Sequence, residues 1–131
     1  MRRIHILILL AQLALLFNVI LLLSVTLNLE WAKPRAAGGQ FDTFPIALRI
    51  LYLIMAIGMV FLMRFLWHYR RMSLTQSALR LARWIGYLFA LSTVIQLISS
   101  SAEERINAIP ASIISLSFIL LSRRDSVQRK G

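Results

Sequence analysis

The stretch Ile4–Leu27, IHILILLAQLALLFNVILLLSVTL, holds 24 residues and not one formal charge. As a helix it runs roughly 36 Å at 1.5 Å per residue, enough to cross a hydrocarbon core of about 30 Å with some tilt. Arg2 and Arg3 ahead of it give it the opening of a secretory signal, but a signal's apolar region runs about 7 to 15 residues and closes on small residues. Here Asn28, Leu29, Glu30 and Trp31 follow. The segment therefore reads as an uncleaved membrane anchor, and the chain as an integral membrane protein.

The remainder of the 131 residues agrees: 59% are apolar and 15% charged, against about 25% charged in a soluble protein, and the mean hydropathy is +0.74. The net charge of +10 comes from 15 Lys and Arg against 5 Asp and Glu, set in short groups between apolar segments. A nucleic-acid partner needs a basic face on a folded soluble surface, so none is expected despite a pI near 11.7. With no cysteine there is no disulfide framework, thiolate metal site or thiol redox pair. So apolar a composition also argues against disorder.

Three further spans follow. Asn28 to Phe44 is a polar connection with Pro34, Gly38 and Gly39. Pro45 fits the first turn of a second helix, with Asp42 or Thr43 as its cap. That helix reaches Tyr69, and its interior arginines, Arg49 and Arg64, lie within about a turn of an interface and are expected to snorkel. Trp67, His68 and Tyr69 form an aromatic belt at its exit. A third helix carries Arg80 and Arg83 just below the charge-free run Trp84–Ile98. Ser101 and Glu104 have the spacing of a capping box, so a fourth helix is expected to begin near Ala102, with Pro110 bending or loosening its first turns. The expectation is an all-α, four-helix transmembrane bundle in one domain, 1–131, with spans at about 4–27, 45–69, 79–98 and 106–121.

Charge orients it. With both termini inside, one face collects Arg2, Arg3, Arg64, Arg70, Arg71, Arg80, Arg83, Arg123, Arg124, Arg129 and Lys130 against Asp125 alone. The other balances Lys33, Arg35, Arg49 and Arg105 against Glu30, Asp42, Glu103 and Glu104. Basic residues in short loops near span ends set orientation, so both termini are expected in the cytoplasm.

Several groupings are candidates for function. Ala82, Gly86 and Ala90 form a stripe on helix 3 that lets another backbone approach, and Ala108, Ser112 and Ser115 form a similar stripe on helix 4. Internal helix packing is the reading, with homodimerisation as the alternative. Gln12, Asn18, Thr93 and Gln96 are polar within the apolar core and should point inward, toward interhelical hydrogen bonds rather than a substrate path. His5 and His68 share a level, the minimum for a two-histidine haem or metal site, but interfacial depth speaks for solvated side chains, and no cofactor is expected. Arg49, Gln96, Glu103, Glu104, Arg105 and Asn107 gather at the outer ends of helices 2, 3 and 4, a polar cluster in which Arg49 should pair with Glu103 or Glu104. On the inner face Arg70, Arg71, Arg80 and Arg83 surround the turn into helix 3, where they set topology and attract anionic lipid.

No Asp or Glu lies within a span, and no nucleophile, base and orienting group occur together, so neither proton-coupled transport nor catalysis has a visible seat. The architecture looks like that of small multidrug exporters, but their first-span glutamate has no counterpart in Ile4–Leu27. In size it is also similar to small fluoride channels, whose glycine-rich stretch before an arginine is absent. Through its span pattern, and through Ser99–Pro110 with Glu104, Arg105, Asn107, Ala108 and Pro110, the chain resembles small uncharacterised four-span bacterial membrane proteins. That resemblance implies a bacterial cytoplasmic membrane and no particular activity. The sequence reads as a non-catalytic accessory or structural subunit that packs against itself or a larger membrane protein. A small oligomeric channel or transporter is the alternative.

Overall fold

The computed structural model describes residues 2–36, 39–71 and 75–130. They form five α-helices, α1 Arg2–Thr26, α2 Ile46–Arg71, α3 Gln76–Leu97, α4 Ala102–Ile106 and α5 Ala108–Lys130, plus a 3₁₀ helix at Glu30–Arg35, with no strand among the described residues. Four stretches are long and apolar enough to cross a membrane: Arg3–Thr26, Ile46–Tyr69, Gln76–Leu97 and Ala102–Arg123. The chain is an all-α, multi-pass membrane protein.

Helix ends follow from local chemistry. α1 stops in a Schellman arrangement: the Leu29 N–H donates to the Ser24 carbonyl and the Asn28 N–H to that of Val25. Asn28 takes the left-handed conformation this requires, at φ 58°, and its Oδ1 accepts the Phe44 N–H at 2.9 Å, tying the far end of the connection to the helix it leaves. Pro45 stands one residue ahead of α2 rather than within its first turn. Its carbonyl accepts the Arg49 N–H, which suits a residue with no N–H of its own. Thr75 caps α3 by accepting the Ala78 N–H.

The expected fourth helix is divided. Ser101 caps α4 by accepting the Glu104 N–H, but the capping box is only half formed, because the Glu104 carboxylate accepts from Ser99 Oγ at 2.6 Å instead of from the Ser101 amide. The helix breaks at Asn107 and restarts at Ala108. Pro110 has no N–H to offer the carbonyl four residues back, so the break falls where the helical ladder would otherwise lose a bond, and the proline sits in the first turn of α5.

In the bundle α1 lies between α2 and α5, and α5 lies between α1 and α3, whereas the α2–α3 edge is open. Hydrogen bonds at two levels fix the α1–α2 register. Gln12 Nε2 donates to the Met63 carbonyl at 2.9 Å, and Arg49 Nε donates to the Thr26 carbonyl at 2.7 Å. The contacts are fourteen residues apart on each antiparallel helix. The main core joins Ile8, Leu15, Leu66, Phe89, Ile114 and Phe118 from all four long helices, with Phe65 stacked on Phe118 at 6.0 Å between ring centres. A second core, Leu21, Val25, Ala32, Ala36 and Phe44, seats the connection after α1 on the end of the bundle.

Candidate functional site

The small-residue stripe of α3 meets α5. Buried on α3 are Leu79, Ala82, Gly86 and Phe89, so the seam leaves the Ala82–Gly86–Ala90 line at its last member and Ala90 stays half-buried. A Cβ at Gly86 would lie 2.5 Å from Ile119 Cγ1 and 3.1 Å from both the Ile119 nitrogen and the Ser115 carbonyl oxygen. Ser115 Oγ donates to the Gly86 carbonyl at 2.7 Å, a contact that needs this approach. Ala108 is buried, whereas Ser112 is half-buried and donates to its own helix at the Ile109 carbonyl.

Most polar side chains within the spans are used locally. Asn18 donates to the Ala14 carbonyl, Ser24 to Ile20, Thr93 to Phe89 and Ser117 to Ile113, each one turn back on its own helix. Gln12 reaches across to α2 through Nε2, but its Oε1 is buried without a partner, as are Gln96 Oε1 and Arg83 Nε. No group of three or more metal-ligating side chains occurs among the described residues, so His5 and His68 gather no third ligand.

The expected outer cluster is split by the fold. Arg49 lies on the α1–α2 seam, where it donates to the Thr26 carbonyl while Thr26 Oγ1 donates to the Arg49 carbonyl at 3.2 Å. Its partner is the C-terminal end of α1, the negative end of a helix dipole, rather than Glu103 or Glu104. Glu104 is engaged with Ser99. Asn107 is buried and donates through Nδ2 to the Arg35 carbonyl at 2.9 Å. Ser101 Oγ donates to the Pro34 carbonyl, and Arg105 donates to the Ser99 carbonyl at 3.3 Å. Glu103 is half-buried on α4. These residues anchor the connection after α1 across α4. Gly39 completes that cap: at φ 71°, with Pro34 oxygen and Ser101 Cβ both 3.3 Å from any added Cβ, it has neither the backbone angle nor the space for a side chain.

At the opposite end Arg80 is exposed and Arg83 half-buried. The side chains of Arg70 and Arg71 lie outside the described residues.

Two clefts stand out. One, of about 440 Å³, runs along the open α2–α3 edge between Met55, Gly58, Met59 and Leu62 on one side and Ile85, Leu88, Phe89 and Ile95 on the other. It is apolar apart from Ser92, and a Cβ at Gly58 would meet nothing within 4 Å. The other, of about 680 Å³, lies between α1 and α2 toward the N-terminal end of α1. It is lined by Ile8, Leu9, Gln12, Val60, Met63, Arg64, Trp67 and His68. Neither cleft was singled out in the sequence. Gly58, the glycine of the second span, and the matching depth of Gln12 and Arg64 were the available signals.

No protein-family model, curated protein or solved structure matches the chain.

Proposed function

We propose that this multi-pass protein is a non-catalytic accessory or structural subunit of a bacterial cytoplasmic membrane, both termini inside, and that its open α2–α3 edge receives a transmembrane helix of a larger membrane protein. The carrying observation is the contrast between that edge and the rest of the bundle. Asn18 and Thr93 are bonded to their own helices and Gln12 to α2, which favours a packed interior over a water-lined path. α2 is the least enclosed span, with 11% of its apolar window buried against 50% for the last one. Gly58 opens the wall of the cleft, and helices in lipid associate where small residues let backbones approach. Charge supports the orientation, since the basic residues collect on the face of the termini.

Native mass spectrometry of the protein gently extracted from its own membrane tests this reading. The expected mass is that of a mixed complex, with Gly58→Leu releasing the partner while the bundle stays folded. A mass made only of copies of this chain would replace the accessory reading with the oligomeric channel.

A further inference from the structure

We propose that the cleft between α1 and α2 is a binding site for one anionic glycerophospholipid, its phosphate on Arg64. The inference rests on the chain spanning a membrane and not on the accessory role.

Three features converge in one cavity of about 680 Å³. First, Arg64 is exposed on an otherwise apolar stretch of α2 and makes no hydrogen bond or ion pair with a described residue. A guanidinium so placed in a span is costly unless it meets an anion or reaches the headgroups. Second, Trp67 and His68, exposed about a turn beyond Arg64 on α2, line the same cavity, and tryptophan is the side chain enriched at headgroup level. Third, the remaining wall is apolar apart from Gln12, with Leu9 and Val60 exposed to the bilayer side, as an acyl chain requires.

The depth is consistent. The register that pairs Gln12 with Met63 places His68 about a turn nearer the helix ends, level with Leu7. The cavity therefore runs from the headgroup region into the hydrocarbon. Its ionisable groups, Arg64 and His68, include no acid that would oppose a phosphate. The ligand needs a negative charge and an acyl chain at one interface, which together describe an anionic phospholipid.

Native mass spectrometry of the full chain in neutral detergent, titrated with phosphatidylglycerol or phosphatidylcholine of the same acyl chains, tests the proposal. One phosphatidylglycerol should be retained in preference to phosphatidylcholine. Arg64→Gln should lower that retention about fivefold, the weight of one basic residue at an anionic surface, and Arg64→Lys should recover most of it. Arg35→Gln, at the opposite end, should leave retention unchanged, and circular dichroism checks that each variant is folded. Equal retention of the two lipids, or no change in folded Arg64→Gln, would overturn the site. Displacement of the lipid by millimolar inorganic phosphate alone would overturn the assignment to a lipid in favour of a phosphate site.

Discussion

Gly86 and Gly58 are chemically identical and oppositely placed. At Gly86 a methyl group would meet Ile119 side-chain and backbone atoms and the Ser115 carbonyl, and the branched isoleucine has little freedom to yield. Gly86→Ala is therefore expected to destabilise the bundle by about 1–3 kcal/mol, the usual range for overpacking. Gly58→Ala should be neutral or stabilising by up to about 1 kcal/mol, since it adds helix propensity in open space. Reversible unfolding in mixed detergent reads both, and equal effects would contradict the α3–α5 seam. Arg49 gives a second contrast. Its guanidinium is bonded to the end of α1, so Arg49→Ala should cost about 1.5–3 kcal/mol, as for a charged hydrogen bond. Combined with Glu104→Gln the effects should add, because Glu104 bonds Ser99 and not Arg49. A coupling energy above about 0.5 kcal/mol in that cycle would restore the ion pair that charge alone leads one to expect. The sequence marks Arg49 as unusual, but opposite charge is a poor guide to its partner when a helix C-terminus also offers unmet carbonyls.

Among the elements, the ends of helices were more legible than their neighbours. Ser101 is recognisable as a cap from type and spacing, and it does cap α4. What spacing does not reveal is its second bond, to the Pro34 carbonyl far away in sequence. Asn28 is equally plain in hindsight, since asparagine is the residue after glycine that best tolerates the left-handed turn. The 3₁₀ helix Glu30–Arg35 carries no such mark, being short and containing Pro34. Ser101→Ala removes both the cap and the Pro34 contact, so it should cost about 0.5–2 kcal/mol for the cap alone. It should also raise amide exchange in the Glu30–Arg35 segment, which has no reason to respond if Ser101 serves α4 only. Unchanged exchange there would separate the connection from α4.

For the whole molecule, the number of spans was legible because length and apolarity decide it. The arrangement was not, and the reason is physical. In a bilayer the core face and the lipid face of a helix are both apolar, so periodicity that would mark a buried stripe in a soluble protein carries little information. Leu13 and Leu15 are indistinguishable by type, yet Leu13 is exposed and Leu15 fully buried. Only exceptions such as Gly86 and Gln12 point to neighbours, and they do so without naming them. A sequence with no cysteine makes the global arrangement directly measurable by single-cysteine labelling. Replacements of Asn18 and Thr93, whose side chains are turned onto their own helices, should resist a water-borne maleimide in the intact bundle and react once it is unfolded. Replacements of Arg3 and Lys33, at opposite ends of α1 and in the connection beyond it, should react readily but from opposite sides of sealed vesicles, Arg3 from the cytoplasmic side. Ready labelling at both Asn18 and Thr93 would mean a water-filled interior and a channel, and labelling of Lys33 from the cytoplasmic side would invert the orientation that the basic residues support.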